Sequence, residues 1–345
     1  MNALGRVTGI SLSFVASTAF VDEVNAQSWD LVCDFSDAAN PNGVWSYNAG
    51  SSPIMVHQDD WDPTSCLSIA QPAWAEAGSG YGHIPAWMKI VTNDTKTCWP
   101  ADVEIGDVIV HANSKGNGND VDLANVTWTS PVDDMVDVRG ALWLLRDIGR
   151  SVKWTASLNG STFASGDLFS GDSLSRADPA RFNLSVSLIV GDVIKVEFVR
   201  TSQCGDFVGV NLTIGDCSGA SWTTYGQGWP GTLGEPAMTA GSDPWLGRPA
   251  IINLENSLGA DTISVLFLGL NKIDVPSSFD AHLLVNPFTV IPLSLLAEGI
   301  TLRATIPCDP ALCGVSVFLQ AWEADSGASK GVSATPGLEL VLGMT

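Results

Sequence analysis

The stretch Val152-Lys-Trp-Thr-Ala-Ser-Leu158, followed by Asn159-Gly160 and Ser161-Thr-Phe163, decides the fold class. Val152, Trp154, Ala156 and Leu158 alternate with Lys153, Thr155 and Ser157, which on a pleated strand sends one set inward and the other outward. Asn-Gly tolerates the positive φ of a two-residue turn, so the chain is predicted to reverse at 159–160 and return as a second strand.

Similar runs surround this hairpin. Asp107–Ala112, Asn125–Thr129, Asp137–Leu145, Arg181–Leu188, Val193–Val199 and Phe207–Ile214 are each short, largely alternating, and cut by Gly, Pro, Asn or Asp. Strands at this spacing predict an all-β chain with a jelly-roll β-sandwich over residues 27–217. Within it, residues 27–105 are less regular, with short strands expected near Gly43–Tyr47 and Trp87–Val91. The Ser/Gly/Thr-rich residues 218–226 read as a linker. Residues 227–345 read as a smaller β-sandwich-like domain with strands at 250–254, 262–268, 282–285, 300–306, 315–321 and 337–342. No helix longer than a turn or two is expected.

The chain has 345 residues, 45% of them hydrophobic, enough to bury a core in two domains. Its net charge of −21 makes nucleic acid a poor partner and disfavours anionic lipid. No run approaches the ~20 apolar residues of a membrane span. Residues 1–26 read as a secretory signal peptide: Arg6, an apolar Val7–Phe20, then Val24-Asn25-Ala26 as the cleavage site. Seven cysteines fit an oxidising, extracellular setting. Cys308 and Cys313 are expected to close a short loop and Cys204 to pair with Cys217, leaving the odd set Cys33, Cys66 and Cys98 open.

Two stretches resemble known modules. Asp34-Phe-Ser-Asp-Ala-Ala-Asn-Pro-Asn-Gly-Val-Trp-Ser-Tyr47, with Trp128-Thr-Ser-Pro131 and Gly191-Asp-Val-Ile-Lys-Val196, is similar to an extracellular β-sandwich module of secreted bacterial proteins, some bearing a PEP-CTERM sorting tail. Tyr225-Gly-Gln-Gly-Trp-Pro-Gly231, Leu246-Gly247, Leu268-Gly269, Ile306–Gly314 and Val317–Asp325 resemble a C-terminal β domain appended to secreted proteins of Planctomycetes and related bacteria. These resemblances imply an exported protein and a jelly-roll fold, and bring no catalytic residues. Where the second pattern carries two cysteines, this chain has Trp229 and His282, which are expected to pack in place of the bridge.

Candidate chemistry is sparse. Asn113, Asn117, Asn119, Asp120 and Asp122 line a Gly-rich loop and offer the oxygen ligands Ca²⁺ prefers, although Lys115 lies among them and the alternative is a solvated hairpin tip. Among the many carboxylates no spacing assembles the facing pair of a glycosidase, and no Gly-x-Ser-x-Gly elbow is present. Glu197 is predicted to point away from the face of Val196 and Phe198. Trp is abundant, thirteen residues. Trp128, Trp143 and Trp154 lie in alternating strands and are expected in the core. Trp61, Trp74 and Trp87 lie in the polar region and are the candidate sugar-stacking residues. The reading is a secreted bacterial protein, non-catalytic, binding extracellular polysaccharide or cell-surface glycan. A purely structural scaffold is the alternative and a polysaccharide-active enzyme the third. No cofactor is expected except Ca²⁺ at the Asn/Asp loop.

Overall fold

The computed structural model describes residues 27–61, 71–75, 84–91, 102–113, 122–217 and 219–344. The leader read in residues 1–26 lies outside these. The chain divides into two compact units, 27–216 and 217–344.

The first unit contains β1 (Ser28–Asp30), a one-turn helix α1 (Leu31–Asp34), β2 (Trp45–Ala49), β3 (Ser52–Pro53), β4 (His57–Trp61), β5 (Gln71–Trp74), β6 (Ala86–Lys89) and β7 (Val108–His111). There follow β8 (Ala124–Thr129), β9 (Asp134–Leu144), β10 (Ser151–Leu158), β11 (Ser161–Phe169), β12 (Ala180–Leu188), β13 (Val193–Arg200) and β14 (Phe207–Gly215). One sheet has the order β12-β9-β14-β7-β6-β5-β4, with β1 also on β14; the other has the order β11-β10-β13-β8-β2-β3. From β7 to β14 the chain crosses between the sheets at every connection except β10 to β11.

That exception is the hairpin read from sequence. Asn159 and Gly160 have φ of 49° and 81°, and Leu158 pairs with Ser161. Val152, Trp154 and Ala156 are buried while Lys153 is exposed. Between the sheets lie Trp45, Tyr47, Trp87, Trp128, Trp154, Phe198 and the aliphatic residues of β7, β8, β13 and β14. A second apolar cluster joins Trp61, Ala73, Met88, Ile109, Trp143 and Phe207. β14 belongs to both clusters and is buried along its whole length.

Large rings in this unit are seated on glycines directly across the ladder. Gly140 opposes Phe182, Gly166 opposes Trp154, and Gly209 opposes Trp143. A Cβ at Gly140 or Gly209 would lie 2.2 Å from the facing ring. The missing side chain lets the ring lie flat on the backbone of its partner strand.

The second unit contains β15 (Ser221–Tyr225), β16 (Met238–Ala240), β17 (Pro249–Leu254), β18 (Thr262–Pro276), β19 (His282–Leu295), β20 (Ile300–Thr305), β21 (Ser316–Ala324), β22 (Val332–Ala334) and β23 (Gly337–Val341). They form a sheet β15-β23-β21-β18-β19, with β22 on β21, and a three-stranded sheet β16-β17-β20. Leu266, Leu268, Leu293, Leu319 and Leu338 of the first sheet and Met238, Ile252, Leu254 and Leu302 of the second are buried. The expected linker 218–226 is largely strand: Trp222 pairs with Leu340 and Tyr225 with Gly337. Its Ser/Thr content suits an exposed outer strand as well as a linker, and composition alone does not separate the two.

Cysteine pairing differs from expectation. Cys313 bonds Cys217, 96 residues away, with a Cα–Cα distance of 5.7 Å. The short turn Asp309–Leu312 therefore does not close on itself; Asp309 caps it by accepting from the Ala311 amide at 3.0 Å. Cys204 is a free thiol, not the partner of Cys217, and Cys308 is disulfide-bonded but not to Cys313. Sequence proximity misled both expectations, because strands carry cysteines distant in sequence to bridging distance. Cys33 is also disulfide-bonded.

Candidate functional site

The outward residues of β2, β8 and β13 form a polar face. Register sets Ser46, Thr127 and Lys195 in one row and Asn48, Asn125 and Glu197 in the next. The inward neighbours Trp45, Tyr47, Val126, Trp128, Ile194, Val196 and Phe198 are buried in the core. Period-two alternation thus fixes both faces at once.

This face opens as a cleft of about 480 Å³ lined by Ser46, Asn48, Asn125, Thr127, Lys195 and Glu197, with the β2–β3 turn at its rim. Its floor is a closed hydrogen-bond lattice. The Asn48 amide donates to Asn125 Oδ1 at 3.0 Å, Thr127 Oγ1 at 3.3 Å and the Ser46 carbonyl at 3.2 Å. Ser46 Oγ donates to Asn48 Oδ1 at 2.7 Å. Asn125 Nδ2 donates to the Gly50 carbonyl at 2.7 Å, which ties the rim to the floor. Lys195 Nζ donates to Glu197 Oε2 at 2.9 Å. An ammonium has three donors and a carboxylate two acceptor oxygens, more than this pair consumes. The cleft therefore presents hydroxyls and one ion pair over a floor of locked amides, with no aromatic ring in its lining.

The tryptophans proposed for stacking on a ligand are buried. Trp87 is fully enclosed beside Tyr47 and Phe198, Trp61 packs against Phe207, and Trp74 donates its Nε1–H to the Ser36 carbonyl at 2.7 Å. The polar-looking segment around them supplies β4, β5 and β6, which extend the larger sheet and turn these rings inward. Trp128, Trp143 and Trp154 are in the core, as their alternation predicted.

Of the proposed metal loop, Asn117, Asn119 and Asp120 lie outside the described residues. Asn113 is buried, with Arg200 donating its amide to Oδ1 at 3.4 Å, and Asp122 is exposed beside Gly50. Among the described residues no three His, Cys, Asp or Glu side chains gather as a metal group. Trp229 is half-buried and its backbone bridges to Ala334, whereas the exposed His282 imidazole pairs with Asp274.

The cleft residues, Glu197 apart, were not singled out from sequence. The signal that could have found them was the polar half of the alternation: Ser46, Asn48, Asn125, Thr127, Lys195 and Glu197 interrupt the three most regular apolar patterns near it.

No family model and no curated protein matches the chain. Among solved structures, the chain is similar to the N-terminal CBM22-1–CBM22-2 tandem domain of Xyn10C from Paenibacillus barcinonensis, at 9% identity and a TM-score of 0.23, covering 77% of this chain and 90% of that one. It is also similar to a Paenibacillus xanthan lyase, at 11% identity and a TM-score of 0.24, covering 85% of this chain and 27% of that one. A β-galactosidase candidate from Bacteroides fragilis matches at 10% identity and a TM-score of 0.18, covering 62% and 32%. The chain thus spans about a third or less of the last two proteins. No residue role transfers at these scores.

Proposed function

We propose that the protein is a secreted, non-catalytic binding protein of jelly-roll type whose first unit holds a polyhydroxylated ligand, an extracellular polysaccharide or surface glycan, in the cleft on the six-stranded sheet. The carrying observation is the set of hydroxyls, amides and a Lys–Glu pair in the lining, fixed by register on three adjacent strands. Sugars offer paired hydroxyls that both donate and accept, and such a face answers them without reorganisation. Glu197 is the one carboxylate of the lining and is bound to Lys195, so the two facing acids of glycoside hydrolysis are not supplied there. The disulfides support an oxidising compartment.

Insoluble-polysaccharide pull-down and a glycan array test the proposal. Wild type is expected to bind, and Lys195→Ala and Thr127→Val to weaken binding by about 5- to 100-fold, the value of one or two hydrogen bonds including one to a charged group. Retention by both variants at wild-type strength refutes the cleft, and failure of wild type to bind any glycan refutes the ligand class.

A further inference from the structure

Four oxygens meet in the second unit, remote in chain position from the cleft residues. Glu323 on β21 lies opposite Ser333 on β22, Asp325 follows β21, and Ser257 follows β17. Ser257 Oγ makes a short contact with Glu323 Oε1 and lies 2.9 Å from Asp325 Oδ2 and 2.8 Å from Ser333 Oγ. Ser333 Oγ is in turn 3.0 Å from Glu323 Oε1. All four residues are at most 3% exposed.

Asp325 is well served. It accepts from the Thr232 amide at 2.7 Å, from Thr232 Oγ1 at 2.5 Å and from the Gly327 amide at 2.8 Å. Burial pushes its carboxyl up, and these donors together with Ser257 more than offset it, holding the group below the usual carboxylate range. Glu323 is served on one oxygen only: Oε1 accepts from the Ser257 amide at 2.6 Å, whereas Oε2 is buried with no hydrogen-bond partner. Among the described residues no Lys, Arg or His forms an ion pair with either acid.

Counting hydrogens shows what is missing. The four oxygen–oxygen contacts share only the two hydroxyl hydrogens of Ser257 and Ser333. Two contacts therefore set lone pair against lone pair, beside a carboxylate oxygen that has no donor. A buried carboxylate oxygen with neither donor nor counter-charge is strongly disfavoured. A positive centre coordinated by these atoms removes each difficulty together. The donors are all hard oxygens, two carboxylates and two hydroxyls, which selects a hard cation over a transition metal.

We propose that Glu323, Asp325, Ser257 and Ser333 form a binding site for a divalent cation, Ca²⁺, that ties the turn at 231–234 and the 255–258 segment to the C-terminal end of β21. The test is thermal melting and calorimetric titration of the full chain, stripped with EDTA and then supplied with CaCl₂, with MgCl₂ as the control. Ca²⁺ is expected to raise the melting temperature of the second unit by several degrees, reversibly with EDTA. Glu323→Gln is expected to abolish that rise, and Ser333→Ala, which leaves both acids in place, to weaken Ca²⁺ affinity at least several-fold. Asp122→Asn is expected to leave the rise intact. A wild-type melting curve and titration indifferent to Ca²⁺ overturn the proposal. So does a Ca²⁺ response that survives Glu323→Gln, or one that vanishes with Asp122→Asn.

Discussion

Acidification should destabilise the first unit through His111. This residue ends β7, is 1% exposed, and packs edge-on against Phe207 with ring centroids 4.6 Å apart. Nδ1 lies 2.7 Å from the Ala112 carbonyl, which fixes the proton there in the neutral ring and leaves the other nitrogen bare. Burial is the main cause that pushes its pKa down, and Arg146 and Arg150 add repulsion; together they outweigh the Ala112 bond, lowering it from 6.5 to about 3. The folded pKa is thus below the unfolded one. Between those values the unfolded chain binds a proton that the native chain refuses, so stability falls as pH falls. The slope is half its limit at pH 6.5 and approaches about 1.4 kcal/mol per pH unit below it, so from pH 6.5 to 4.5 the loss is about 2.3 kcal/mol.

Asp206 works in the opposite direction. It is buried against Arg146, and desolvation raises its pKa despite that pair, so its own contribution to stability grows on acidification. A single pH–stability curve therefore mixes two signs. Comparing wild type with His111→Gln cancels Asp206 and the surface carboxylates. The amide can still donate to Ala112 but cannot titrate. Urea unfolding of both proteins, followed by tryptophan fluorescence at half-unit intervals from pH 7.5 to 4.5, gives the difference. It should be nearly constant above pH 7, then shift in favour of the variant by about 2.3 kcal/mol between pH 6.5 and 4.5. A pH-independent difference would show that His111 titrates alike in both states and refute the reasoning.

Two further outcomes follow from packing and covalent closure. Gly209→Ala places a methyl 2.2 Å from the Trp143 ring, and chemical denaturation should report a loss of about 1–3 kcal/mol as that ring is displaced. Cys217→Ser opens a 96-residue loop, and the melting transition of the second unit should fall by the equivalent of about 2–4 kcal/mol, with dithiothreitol bringing the wild-type transition down likewise.

Strand positions were legible because alternation is local. The segment 193–200 shows its buried and outward sets without knowledge of any partner. The reversal at Asn159-Gly160 was legible because few residues accept positive φ. Partner choice was not legible. The bond between Cys217 and Cys313 depends on which strands become neighbours, and chain distance argues against it. The tryptophan error has the same origin. Trp61, Trp74 and Trp87 stand among Asp, Pro and Gly, and their short runs look like loops. Their burial arises because β4, β5 and β6 join a sheet already begun by β14 and β7, and a two- or four-residue ladder needs no strong pattern of its own when a wide neighbour supplies the template. The cleft was half legible: the outward direction of Glu197 could be read, but its neighbours Asn48 and Asn125 come from strands 149 and 72 positions away in the chain, and only register joins them.

The loss of the tryptophan platform changes what recognition must be. Rings that might have stacked on a sugar are spent on burial, in the layer between the sheets and in the second cluster of Trp61, Trp143 and Phe207. What lines the cleft on the outward side of β2, β8 and β13 is amide, hydroxyl and one ion pair. A single hydrogen bond exchanged with water contributes only about 0.5–1.5 kcal/mol, so such a face holds one sugar weakly. A polymer presenting the same hydroxyl pattern at every repeat compensates through many equivalent registers and through several protein molecules along one strand. On the proposed function, the cleft therefore suits retention on an extended polysaccharide better than capture of a monosaccharide.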